Sequence, residues 1–288
     1  DKLASGEKEW ILTSGWNKSV MNADDYRAYV GGTSGLIYGY VNDGFYKVED
    51  FEYFDSKSRT WKLKEGVVDS SPLSDTPRPG NAKFKKLTPV DPNSSNPYQL
   101  TEADRTVIGN TTPKFSGGFG LNATYKGFDL SMFFNFMYDF DVFNANKVML
   151  TTWADNHENN FGMEVASDKR WRNFDDMGNE IRYSPELLAE FNKNATMWNP
   201  TSIGKPISMS YAVEDGSFLR LNSATLGYTL PQEWTKKAGL NKVRFYVAGS
   251  NLFTITGYSG YDPEVDIATG LTPNIDNNRY PRSRTYTF

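Results

Sequence analysis

Residues 128–140 alternate without a break. Phe128, Leu130, Met132, Phe134, Phe136, Tyr138 and Phe140 hold the even positions; Asp129, Ser131, Phe133, Asn135, Met137 and Asp139 hold the odd ones. A repeat of two is the period of a strand with one apolar face, and no stripe at helical spacing fits these residues. Length constrains the chain further. Strands of water-soluble domains usually run about 5–6 residues, whereas a tilted strand crossing a bilayer needs about 9–11. One face here is aromatic and aliphatic, and the other carries carboxylates and amides. A soluble sandwich buries the first face in a protein core. A membrane barrel turns it to lipid and leaves the second face on a wet lumen. Strand length favours the barrel.

The neighbouring segments repeat the pattern. Phe119, Leu121, Ala123 and Tyr125 alternate with Gly118, Gly120, Asn122 and Thr124, and Lys126-Gly127 is a turn signal between the two runs. Asn241–Phe253 sets Val243, Phe245 and Val247 against Arg244, Tyr246 and Ala248. In Ser217–Leu230 the alternation is weaker: Leu226, Tyr228 and Leu230 share their parity with Arg220 and Asn222. A last strand is expected over Arg282–Phe288, entered at Pro281. Connections alternate in length: a tight turn at Gly127, a short one over 231–240, and long ones over 142–216 and 254–280. Short turns on one side and long loops on the other are expected of outer-membrane barrels. The stretch 69–114 opens with Pro72, Pro77, Pro79, Pro89, Pro92 and Pro97 and reads as a loop. Ser184 and Pro185 mark the start of a short helix over Ser184–Asn194.

Composition agrees. Aromatic residues make up 15% of the 288 residues, while mean hydropathy is only −0.59. Two classes combine these values: glycan-handling β-proteins with exposed rings, and membrane barrels with aromatic girdles. The net charge of −4 and the lack of a basic stripe argue against nucleic acid as a partner. There is no Cys, hence no disulfide and no thiolate metal site. The chain opens Asp1-Lys2-Leu3-Ala4 without an apolar leader, which reads as a processed end or a cut inside a longer chain.

Catalytic chemistry has little to stand on. The one His, His157, sits in the polar run Ala154–Asn160 and reads as a solvated loop residue. Gly32-Thr33-Ser34-Gly35-Leu36 fails the nucleophile-elbow pattern at its last position. Adjacent carboxylates such as Asp175/Asp176 point to opposite faces of a strand or into solvent. No catalytic, cofactor-binding or metal residue is therefore assigned, and the chain is read as not an enzyme. Asp262-Pro263-Glu264-Val265-Asp266 offers oxygen ligands to calcium, but it lacks the spacing and Gly of a calcium loop. A hydrogen-bonded loop is the stronger reading there.

Several blocks stand out in order: Tyr38-Gly39-Tyr40-Val41-Asn42-Asp43-Gly44-Phe45-Tyr46, Pro79-Gly80-Asn81, Ala103-Asp104-Arg105-Thr106-Val107-Ile108-Gly109-Asn110, the hairpin around Lys126-Gly127, Phe218-Leu219-Arg220-Leu221, Asn251-Leu252-Phe253-Thr254 and Gly260-Tyr261-Asp262-Pro263-Glu264. Together they resemble the SusC/RagA family of TonB-linked outer-membrane transporters. The resemblance spans nearly the whole chain. It implies an all-β fold: a transmembrane antiparallel β-barrel of about 22 strands, as in that family. Residues 1–288 would be its C-terminal strands, without the plug domain. It places 142–216 and 254–280 as extracellular loops with short helices. It implies uptake of glycans or peptides in the outer membrane, a SusD-like surface lipoprotein as lid, and TonB contact through the N-terminal part. Many relatives carry an aspartate-rich, calcium-type loop where this chain has Leu87–Asn96, and the closing strand at Phe288 looks short. Substrate contacts are expected from loop rings and amides: Trp153, Asn156, Asn159 and Asn160. The competing expectations are a soluble glycan-binding or glycan-cleaving β-sandwich and a non-transporting adhesin barrel.

Overall fold

The computed structural model describes residues 10–13, 24–29, 31–74, 76–152, 161–162, 165, 169–203, 207–265 and 270–288. The strands, in chain order, begin with β1 (Trp10–Thr13), β2 (Tyr26–Tyr29), β3 (Leu36–Gly39), β4 (Asn42–Phe45), β5 (Phe51–Asp55) and β6 (Thr60–Leu63). They continue with β7 (Ala82–Phe84), β8 (Thr106–Asn110), β9 (Phe115–Tyr125), β10 (Phe128–Tyr138) and β11 (Asp141–Asn144). The last are β12 (Val213–Asp215), β13 (Phe218–Thr229), β14 (Arg244–Thr256), β15 (Ile275–Asp276) and β16 (Thr285–Thr287). No helix among the described residues is long and apolar enough to cross a membrane.

The long strands form one antiparallel sheet in the order β16-β14-β13-β10-β9. β9 and β10 each have 11 residues, β13 has 12 and β14 has 13. At about 3.3 Å per residue these reach roughly 36–43 Å, enough to cross a bilayer at a tilt. The β9–β10 hairpin is the tightest possible. Lys126 and Gly127 both take positive φ, 46° and 88°, the conformation whose twist matches the flanking strands. Between β13 and β14 the short connection holds the helix Gln232–Lys237.

Register sorts the side chains into rows on the apolar face. Tyr125, Phe128, Tyr228 and Phe245 lie abreast near the hairpin end. Two aliphatic rows follow: Ala123, Leu130, Leu226, Val247, and then Leu121, Met132, Ala224, Gly249. Rings return with Phe119, Phe134, Leu221 and Phe253. Phe119 and Phe134 stack with centroids 4.9 Å apart. Among the described residues no layer of protein covers these rows: Leu226 is 51% exposed and Phe245 63%. An open apolar surface of this extent with rings at both margins is the signature of a lipid-facing barrel wall.

The weak alternation of 217–230 has a structural cause. The β13 register slips past Asn222 against both neighbours, a β-bulge that reverses the parity of the strand. Leu219 and Leu221 consequently share the lipid face with Leu226 and Tyr228, while Arg220 turns to the opposite face. Parity alone had grouped Arg220 with Leu226.

At the end away from the hairpin, a cap has its own core. Tyr26, Ile37, Tyr40, Leu73, Phe84, Leu100, Phe143, Val148, Trp198, Ile207, Met209 and Ile275 pack in one buried cluster. The proline-rich stretch 69–114 is therefore not simply a loop. It carries β7 and β8 and sends Leu73, Phe84 and Leu100 into this core. Likewise 142–216 is folded: β11 pairs with β12 and in parallel with β15, and Ser184 caps the helix Pro185–Phe191 by accepting from Leu187 N. β14 extends to Thr256, so the last long connection begins at Gly257, and β16 covers only Thr285–Thr287 of the expected final strand.

Candidate substrate path

The second face of the long sheet is mostly polar, with Phe133, Met137 and Tyr246 among its side chains. It presents Asp129, Ser131, Asn135, Thr225, Arg244 and Thr254. Near the hairpin end Arg244 grips Asp129 in a two-pronged pair, Nε–Oδ1 at 3.0 Å and Nη2–Oδ2 at 2.6 Å.

Toward the cap, the bulge puts Arg220 at the centre of a charge cluster. Its Nε donates to Thr254 Oγ1 at 3.0 Å, its Nη2 to Asp262 Oδ1 at 2.5 Å, and its Nη1 lies 3.2 Å from Glu264 Oε2. Arg282 completes the cluster, with Nη2 2.8 Å from Glu264 Oε1. Arg220 is only 2% exposed. A charge so buried is tolerable because two carboxylates and a hydroxyl surround it. Asp262 and Glu264 thus meet guanidinium groups, and Asp266 lies outside the described residues. Val265 follows them into a small apolar cluster with Phe140, Val142, Phe218 and Tyr258.

Between the helix Ala145–Thr151 and the turn 259–261 a cleft of about 330 Å³ opens, lined by Asn144, Asn146, Lys147, Leu150, Ser259 and Tyr261 among others. Glu214 ties three of these lining residues together, accepting from Ser259 Oγ at 2.8 Å and from Asn144 Nδ2 at 3.2 Å, with Lys147 Nζ at 3.3 Å. Burial raises the Glu214 carboxyl, but the Ser259 hydrogen bonds and the Lys147 charge outweigh it and hold it below the usual range. Beside it, burial and a 2.7 Å hydrogen bond to Asp276 push the Tyr258 phenol well up. Tyr258 is therefore a neutral donor there. Tyr261, 82% exposed, projects beside the cleft. Among these groups none forms a nucleophile–base pair.

The recurrent sequence blocks prove to be architectural. Asp104, fully buried, accepts from Leu87 N, Thr88 N, Thr88 Oγ1 and Thr101 N at 2.7–2.9 Å. Arg105 next to it donates to the Asp24 carbonyl and lies 4.6 Å over the Tyr38 ring. Gly80 has φ 88° and lies against Trp171, where an added Cβ would come within 2.1 Å of the ring. Sequence reasoning missed Glu214, Lys147 and Asn144 because Glu214 lies 67 and 70 residues from the other two and nothing local marks them. Trp153, Asn156, Asn159 and Asn160, and with them His157, lie outside the described residues. Among the described residues no three His, Asp or Glu side chains gather to hold a metal ion.

No family model matches the chain. It is 32% identical over 260 residues to TonB-dependent receptor P3 of Formosa agariphila, covering 88% of this chain and 21% of that protein. It is 37% identical over 78 residues to TonB-dependent receptor SusC of Bacteroides thetaiotaomicron, covering 26% of this chain and 7% of that one. Among solved structures, the RagAB peptide importer in its open-open state matches with a TM-score of 0.62 at 20% identity, over 99% of this chain and 24% of the other. The closed-closed state gives 0.57 at 21% identity, over 91% and 23%. The chain spans about a fifth of the length of the curated relatives it matches most fully. The proteins it resembles are named as receptors and importers, not as enzymes. By sequence and by fold, this chain is part of the barrel of a SusC/RagA-like TonB-dependent receptor.

Proposed function

We propose that the chain serves in an outer-membrane, TonB-dependent importer of glycans or peptides that works with a SusD-like lipoprotein as its lid. The observation that carries this reading is the two-faced sheet: uncovered apolar rows edged by rings on one side, paired charges on the other. Such a wall suits lipid outside and water inside. In this reading the turns at 126–127 and 230–243 lie in the periplasm, and the connections 142–216 and 257–284 face the medium. The cap and the Arg220 cluster would then line the entrance, and Trp153, Asn156, Asn159 and Asn160 remain candidate substrate contacts. TonB would engage a part of the receptor outside this chain. No bond-making step is assigned to any residue.

The test uses the complete receptor that contains this chain. The expected results are an outer-membrane location, heat-modifiable migration in detergent, co-purification with a surface lipoprotein, and substrate uptake that disappears when TonB is deleted. A protein that stays soluble without detergent would overturn the barrel, and uptake indifferent to TonB would overturn the transport reading.

A further inference from the structure

A second cleft lies in the cap and shares no lining residue with the first. It encloses about 510 Å³, and its lining includes Arg170, Trp171, Arg172, Phe174, Arg182 and Asn199. Three arginines from one short stretch line it, together with Asp175 and Asp176. The carboxylates nearest to them are committed loosely or elsewhere. Arg172 Nη1 meets Asp176 Oδ1 at 2.7 Å, but Asp176 is 75% exposed. Arg182 lies 2.7 Å from Glu180, which is itself 41% exposed. Asp175 is occupied by its own turn, accepting from Met177 N, Asn179 N and Asn179 Nδ2. Arg170 Nη1 donates to the Val165 carbonyl.

Two aromatic residues belong to the lining. Trp171 is 3% exposed, yet its indole Nε1 has no hydrogen-bond partner among the described residues. The ring edge that carries it lies against Gly80. Phe174 is 48% exposed, an open ring with the Arg182 guanidinium 6.0 Å from its centroid. The frame around them is fixed. Asn192 clamps the Arg172 backbone from both sides, accepting from its N at 2.6 Å and donating to its O at 2.9 Å. The Gly80 carbonyl holds Asn199 N at 2.8 Å.

We propose that this cleft binds an acidic sugar residue of an oligosaccharide. The sugar carboxylate would take the place of Asp176 on Arg172, and the ring would rest on Phe174. Displacing Asp176 is cheap because an exposed ion pair contributes little. A planar guanidinium offers a carboxylate two parallel donors, and an exposed aromatic face suits the C–H face of a sugar. The proposal rests on the import reading and narrows its substrate class.

Calorimetry on the complete receptor in detergent tests it, with a tetramer of galacturonic acid, cellotetraose and tetraglutamate as probes. The acidic sugar should bind about tenfold or more tightly than either of the others. Arg172→Gln and Phe174→Ala should each weaken that binding severalfold. Asp176→Asn, which removes the internal competitor and alters only an exposed side chain, should tighten it. Equal binding of cellotetraose, or an Asp176→Asn receptor that binds no more tightly, would overturn the proposal. Equal binding of tetraglutamate would show an acidic peptide as the ligand and overturn the sugar assignment. Heat-modifiable migration and TonB-dependent uptake are read on the same preparations and strains. Their persistence while the probes fail would leave the import reading standing alone.

Discussion

Arg220 and Asp262 meet 2.5 Å apart across the polar face, joining β13 to the connection that follows β14. Glu264 and Arg282 extend the contact to the segment that leads into β16. One guanidinium thus fastens a wall strand, an inward-folded connection and the approach to the last strand.

Removing Arg220 alone should be costly. Arg220→Met leaves Asp262 and Glu264 buried with only Arg282 beside them, and stripping one partner from a buried ion pair costs about 3–5 kcal/mol. The triple change Arg220→Met, Asp262→Asn, Glu264→Gln should recover much of that loss. Urea unfolding of the complete receptor in detergent, followed by heat-modifiable migration, measures both. A triple variant no better than the single one would show that the contact acts through shape and not through charge.

Facing decides the fate of a new charge. Leu226, in the middle of the apolar rows, should lose about 2–4 kcal/mol on change to Arg when the protein folds into lipid. Thr225→Arg, one residue away on the polar face, should cost far less. Folding titrations in large unilamellar vesicles separate the two, and similar losses for both would contradict the assigned facing.

The hairpin depends on Gly127. Its φ of 88° and the approach of Thr229 O, 2.8 Å from a built Cβ, leave no room for a side chain. Gly127→Ala should therefore destabilise the sheet by about 1–3 kcal/mol. Lys126→Asn, suited to the left-handed position that precedes it, should be neutral or mildly stabilising. Thermal midpoints of heat-modifiable migration give the comparison.

Asp104 sets an acid limit for the cap. Burial raises its carboxyl, but the hydrogen bonds from Thr88, Thr101 and Leu87 outweigh burial and hold it well below the usual carboxylate range. A carboxyl depressed in the folded state contributes stability that is fully present above its unfolded pKa, about 4. That contribution is lost as pH falls through the folded value. Proteolytic protection of the cap should accordingly hold from neutral pH to about 5 and decline below about 4. Asp104→Asn should lower protection at neutral pH, by about 1–3 kcal/mol for the donors it leaves unmet, and flatten the acid decline.

The long strands were legible because facing is written in every second residue, so Phe128 to Tyr138 announced both their element and their surroundings. Arg220 was misgrouped because a single bulge residue, Asn222, inverts the count, and nothing in its own identity signals that. The cap was read as loops because its core is assembled from residues far apart in the chain: Tyr26, Phe84, Val148 and Ile275 carry no common period. Asp104, Arg105 and Gly80 stood out as blocks shared with a family, and their roles as a hydrogen-bond hub, a stacked cation and a close approach became visible only with their partners in place. The Glu214 cleft and the arginine cleft likewise arise from convergence across the cap.

The shared core of the cap has a consequence for exchange between receptors. Its packing draws on the stretches before β4, between β6 and β8, between β10 and β13, and between β14 and β16. None of these connections is a self-contained module. Grafting one of them onto another barrel would leave its apolar residues without their counterparts, so new ligand preferences are more readily installed by altering rim side chains such as Phe174 or Tyr261 than by transplanting a loop.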